Sequence, residues 1–178
     1  MAKTGLLPPI ERLFDLLSYN PDTGEIRWIA KPHPKAHAIV IGAISGSQND
    51  RGYVVITIDK KPYNAHRIAW KMHHKEEPPE FIDHKDGIQW NLKIDNLRPA
   101  TQSQNNANRR VMGNSKSGIK GIRQIFKGQY SAWMASVTIK GRKIAKTFPN
   151  DDLGKTAAIA WRNEMAKKEH GEYFKESK

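Results

Sequence analysis

An acid and an imidazole stand side by side at Asp83–His84, an amide follows twelve positions on at Asn96, and another follows nine further at Asn105. These are the residue types that hydrolysis of a phosphodiester requires. A water must lose a proton, and a histidine with a pKa of about 6.5 accepts it at neutral pH. Negative charge then builds on the phosphate and the leaving oxygen, and a hard divalent cation, Mg²⁺ or Mn²⁺, offsets it. Such a cation takes few ligands from protein and keeps water and substrate oxygens for the rest. The carboxylate of Asp83 and the amide oxygen of Asn105 meet that need, and Asn96 can hold the His84 imidazole in the useful tautomer. The arrangement expected has both oxygens within reach of one ion, and His84 open to solvent and substrate. Taken singly, each residue is ordinary. A lone histidine is more often structural, and QSQNNANRR reads as a capped polar helix. The joint spacing carries the reading.

The surrounding sequence must place these groups. Thr101 and Gln104 form a capping-box pattern, so a helix begins near Thr101 with Asn105 in its first turns. Upstream, residues 9–18 put Ile10, Leu13, Phe14 and Leu17 at helical spacing. Residues 19–24 (YNPDTG) are a turn, and 25–29 a strand. Residues 31–37 read as a loop. YVVITID (53–59) is a strand rich in β-branched residues, turning through 60–62 into 63–64. AHRIAWKMH (65–73) is a helix with Ile68, Ala69 and Met72 inward, and its His66 suits packing better than catalysis. Downstream, 119–126, 133–140 and 142–148 are three strands, with turns at Gly128 and Lys140–Gly141. Residues 153–170 form a helix capped by Asp151 or Asp152 and ended by Gly171, its stripe being Ala157, Ala160, Trp161 and Met165.

The organisation expected is α+β: an N-terminal α+β module (1–80), a central motif (81–110), a linker (111–118), and a three-stranded antiparallel sheet packed on one helix (119–178). The formal charge is +12, and residues 96–150 hold eleven Lys or Arg and no Asp or Glu. A stretch so one-sided suits a polyphosphate partner, because each cation on a phosphate releases counterions. The chain has no cysteine, which excludes disulfides, thiolate catalysis and thiolate zinc sites. No apolar run reaches the roughly 20 residues of a membrane span, and the N-terminus has no secretory pattern. A soluble intracellular protein is expected, monomeric or transiently dimeric, without a small-molecule cofactor.

Phe81–Arg110 resembles the core of the HNH endonucleases, especially the phage and intron-encoded homing type. It carries Asp83, His84, Asp86, Gly87, Ile94, Asn96, Leu97, Arg98, Ala100, Thr101, Asn105 and Asn108 where that pattern has them. The resemblance implies a ββα-metal motif, with His84 as general base, Asp83 and Asn105 as metal ligands, and Asn96 ordering the site. YNPDTGEIRW and YNAHRIAW also look like segments that precede this core in phage homologues. One departure is Asn91–Leu92, where the family has an Asp-Asn pair; it implies altered loop support.

GIKGIRQ, WMASV, GRKIAKTF and TAAIAWRNEMA resemble the DNA-binding domain of plant ethylene-response factors, over roughly 117–174. That resemblance makes Arg123 and Arg142 candidates for base-edge or phosphate contact, and Lys120 and Lys146 for phosphate. Strand alternation puts Trp133, Ala135, Val137 and Ile139 toward the helix. The opposite face is expected to gather Arg123, Lys140, Arg142 and Lys146, with Arg109 and Arg110 adding charge next to the motif. The reading is a metal-dependent endonuclease acting on duplex DNA and targeted by its C-terminal domain. The alternatives are a DNA-binding regulator without turnover and an RNA-binding structural protein.

Overall fold

Helix-period and strand-period segments follow one another along the chain, and each closes on the next through a turn that its residues favour. The structure, a computed structural model, describes residues 6–108 and 117–174. Two units are distinguished, Met1–Ala100 and Thr101–Lys178.

In the first unit, helix α1 (Ile10–Leu16) buries Leu13 and Leu16, while Phe14 is exposed. The helix stops where strand β1 (Leu17–Tyr19) pairs antiparallel with β2 (Ile26–Trp28). Between them, Asn20 Oδ1 accepts from the Asp22 and Thr23 N–H groups. Gly24 has φ +78°, and a Cβ there would come within 2.7 Å of the Lys93 nitrogen. Only glycine combines that backbone with that approach, so this turn lies directly against the loop that follows His84.

Strands β3 (Ser47–Gln48), β4 (Val54–Ile58) and β5 (Lys61–Asn64) form an antiparallel sheet in that order. Asp59 and Lys60, both at positive φ, make the two-residue turn that suits the strand twist. Helix α2 (Ala65–His74) starts at once and buries Ile68, Ala69 and Met72, as its periodicity requires. Strand β6 (Phe81–His84) then pairs with β7 (Leu97–Ala100). The Leu13, Leu16, Leu17, Ile26, Ile56, Ile58 and Ile68 side chains are the fully buried centre of the core. Ile82, Leu92 and Leu97 belong to the same cluster, which anchors both strands of the β6–β7 pair.

In the second unit, helix α3 (Gln102–Asn108) opens with the expected capping box: Thr101 N–H donates to Gln104 Oε1 at 2.7 Å, and Gln104 N–H to Thr101 Oγ1 at 3.2 Å. Strands β8 (Ile122–Lys127), β9 (Tyr130–Ile139) and β10 (Arg142–Pro149) form an antiparallel sheet in the order β10-β9-β8. Helix α4 (Asp152–His170) packs on it. The α+β architecture and the three-stranded sheet on one helix are those implied by the sequence. The expected linker and Arg109 and Arg110 lie largely or wholly outside the described residues.

The face of α4 is a correction. Ala157 and Ala160 are exposed, and Trp161 and Met165 only half-buried. The buried row is Gly154, Ala158, Arg162 and Ala166, spaced by four. Small residues let the helix lie close to the sheet, and an arginine among them is invisible to a hydrophobic count. Asp151 caps the helix through Gly154 N–H at 2.6 Å. At Gly154 a Cβ would sit 2.1 Å from the Pro149 carbonyl oxygen. Alanine is ordinarily favoured over glycine in a helix by about 0.8–1 kcal/mol. Here Gly154→Ala is expected instead to lower the melting temperature, and a melt at or above that of the parent protein would refute the close-approach explanation.

Candidate functional site

Strand alternation puts Asp83 and His84 on opposite sides of β6, and β7 supplies their partners. Asp83 faces Arg98 in register. Arg98 Nε and Nη2 both reach Asp83 Oδ2 at 2.9 Å, and both residues are buried, Asp83 to 2 % exposure. A carboxylate so far from water is tolerated because this guanidinium compensates it. His84 pairs with Leu97 and stands at the end of the strand.

The loop after His84 is held by Asn96. Its backbone carbonyl accepts from Lys85 N–H at 2.9 Å. Its side-chain oxygen accepts from Asp86 N–H at 3.0 Å, and its amide nitrogen donates to Asp86 Oδ1 and the Asn91 carbonyl. Asn96 thus orders the loop, a different route from the direct bond to the imidazole expected of it. Asn91 donates to Asp86 Oδ2 at 2.7 Å, and Leu92 is buried in the core with its carbonyl on the Tyr19 hydroxyl at 2.6 Å. The Asn91–Leu92 departure therefore divides its work: the amide binds the loop acid, and the leucine packs. Burial opposes ionisation of Asp86, but bonds from Ile88 N–H, Asn91 and Asn96, together with nearby His84, outweigh it and hold the carboxyl below its ordinary range.

His84 is not open to solvent, contrary to expectation. Its residue exposure is 5 % and Nε2 is buried. Its ring lies edge-on to His66, with centroids 5.2 Å apart, and the Tyr53 ring packs tilted against His66 at 5.5 Å and edge-on to His84 at 6.0 Å. Burial lowers the His84 pKa despite the opposing fields of Asp86 and Asp83, which favours the neutral ring. His66 packs under the site, the structural role its place on α2 implied. Its Nδ1 is buried without a hydrogen-bond partner among the described residues. Burial first, then His84 and Arg67, push its pKa down to about 3.

Asn105 lies half-buried on α3, in the second unit, its N–H bonded to the Thr101 carbonyl at 2.9 Å. The carboxylate of Asp83 and the amide of Asn105 are hard oxygen donors, which suit Mg²⁺ or Mn²⁺. Among the described residues, no three His, Cys, Asp or Glu cluster to hold a metal.

The basic residues of the second unit need regrouping. In a regular antiparallel ladder, directly paired residues share a face. Arg123 pairs with Met134, on the face away from α4. Arg142 pairs with Ile139 and Lys146 with Ala135, which puts both on the α4 side of the sheet. Lys146 extends over the Phe148 ring at 5.4 Å, in keeping with that side. Both belong to the edge strand β10 and remain exposed. Lys143, which sequence reasoning left out, pairs with Thr138 and joins Arg123's face. Lys140 forms the hairpin turn, its N–H on Glu169 at 2.8 Å. Lys120 Nζ donates to the Asn106 carbonyl on α3.

Residues 63–107 match the family model described as HNH endonuclease. Over 93 residues the chain is 30% identical to "Protein 3.8" of Escherichia phage T7, a match covering 52% of this chain and 72% of that protein. No solved structure matches the chain. Among the described residues, no helix is long and apolar enough to cross a membrane.

Two measurements check the site. The unfolded chain protonates His66 near its ordinary pKa, while the fold resists until about pH 3. Stability contributed by the neutral ring is therefore complete above about pH 6.5 and falls as pH drops toward 3. His66→Phe is expected to flatten this acid limb in melts between pH 7 and 4. Arg98→Met leaves Asp83 buried without its cation and is expected to cost about 3–5 kcal/mol in denaturant titration. A cost within error of zero would mean that Asp83 is neutralised otherwise.

Proposed function

The chain belongs to the HNH endonuclease family, and from that premise we propose that it is a divalent-metal-dependent endonuclease cutting duplex DNA. The observation that carries this is the end of β6, where an imidazole packed on His66 and Tyr53 directly follows a carboxylate held by Arg98. His84 takes the proton from the attacking water. Asp83 and Asn105 would hold the cation, which, when bound, stabilises charge on the phosphate and the leaving oxygen. Asn96 keeps the loop from Lys85 to Asn91 in place, and Tyr53 and His66 fix the plane of the His84 ring.

The second unit is the targeting element in this reading. Its likeness to the ethylene-response-factor domain, and the one-sided charge of residues 96–150, support DNA contact through Arg123 on one sheet face. Arg142 and Lys146 act along the β10 edge, with Lys120, Lys140, Arg109 and Arg110 supplying further charge. One metal site per chain suits a nick, and two cuts require a second event or a transient dimer. A homing-type role inside a bacterial host cell is the proposed setting, with host or competitor exclusion and genome processing as the other roles that fit.

Incubating the protein with pooled phage and host DNA, with and without Mg²⁺ or Mn²⁺, and mapping the ends tests the activity. His84→Ala is expected to lower cleavage by at least about 10²-fold while binding persists. The burial of His84 favours a second reading, a DNA-binding regulator on the same scaffold. Metal-independent, salt-sensitive binding with no cleavage in any divalent ion identifies that case.

A further inference from the structure

Arg162 lies in the buried row of α4 at 4 % exposure, and it has no carboxylate partner among the described residues. Its contacts are a bond from Nη1 to Asn163 Oδ1 at 3.2 Å and the face of Phe174 at 5.6 Å. Nε is buried without a hydrogen-bond partner, and burial alone lowers its pKa. A buried, uncompensated guanidinium is costly, and replacing it by an apolar side chain is commonly neutral or favourable. A fold gains from keeping such a group where an anion comes to it.

The guanidinium borders a cleft of about 530 Å³ that lies wholly within the second unit. The cleft opens beside the half of β9 that β8 leaves uncovered beyond Ala135. Gly121 makes room there: a Cβ would meet the Ser136 carbonyl oxygen at 2.5 Å and Arg162 Nε at 3.4 Å. Lys120, Lys143, His170, Ser136 and Thr138 also line it, and among the described residues no lining residue is acidic. His170 is held below its ordinary pKa by burial, then by Arg162 and Lys120, with Glu169 opposing. It therefore offers a ring N–H without a further charge at pH 7.

Three cations and several neutral donors around one opening match a group with several anionic oxygens better than a single carboxylate. We propose that this cleft is a phosphate subsite, with Arg162 as its fixed donor and Lys143 at its mouth, taking one backbone phosphate of a bound DNA strand. Ser136, Thr138 and Lys143 belong to the sheet face that carries Arg123, whereas the fixed donor comes from α4, and so the cleft adds a contact to the DNA-binding reading on which it rests.

The test uses the full chain without divalent cation, so that it is independent of whether His84 acts as a base. Melts are run in phosphate, acetate and chloride at equal ionic strength. Phosphate, and not acetate, is expected to raise the melting temperature, and Arg162→Met is expected to lose that rise while melting no lower than the parent in chloride. On duplex DNA, Arg162→Met is expected to reduce the slope of log K against log salt by about 0.9, the share of one phosphate contact. Arg123→Ala reports on the sheet face separately. Phosphate stabilisation with an unchanged slope would put a free phosphate ester in the cleft and overturn the assignment to a DNA strand. No phosphate effect in the parent protein would overturn the subsite itself. Should Arg162→Met fail to fold, Lys143→Met, on the exposed hairpin, carries the same two measurements.

Discussion

The ion pair between Asp83 and Arg98, buried across two four-residue strands, is the constraint on which the first unit's site depends. Its energy is largely a compensation: either charge alone in that position would be expelled or neutralised. Because Arg98 is fixed in β7 by the ladder and Ile82 and Leu97 are fixed by the core, the carboxylate cannot follow its preference for water. The next residue, His84, is placed at the strand end by the same ladder. The polar site is thus an extension of the hydrophobic core rather than an addition to its surface.

Around it, the chain uses amides where charge would be harmful. Asn96 and Asn91 satisfy Asp86 and the loop backbone, adding donors and acceptors without altering the charge near His84. The rings of Tyr53 and His66 close the remaining side. They come from the loop before β4 and from the first turn of α2, far from the motif in sequence. Desolvation favours the neutral form of both imidazoles, so the enclosure that limits access also biases their protonation. The second unit buries a cation, Arg162, in the close-packed row of α4, with no carboxylate partner among the described residues.

Much of this was legible in the linear chain because it depends on local rules. The strand at 54–58, the helix at 65–74, the capping box at Thr101 and Gln104, and the Asp83, His84, Asn96 and Asn105 spacing follow from periodicity, turn chemistry and the chemistry of phosphodiesters. The three strands and the helix of the second unit were visible in the same way, to within a few residues at their ends. The sequence by itself therefore determined the α+β class, the candidate residues for chemistry and the basic character of the second unit. Only the tertiary structure decided which partner each group receives. It assigned Arg98 to Asp83, gave Asn96 to the loop rather than the ring, buried His84 against His66 and Tyr53, and moved Arg142 and Lys146 to the α4 side of the sheet. It also turned α4 so that Arg162, and not Trp161, lies in the buried row. Local propensity sets what a segment can be, whereas register and packing depend on surfaces contributed by segments distant in the chain, and no short stretch of sequence contains both sides of such a contact.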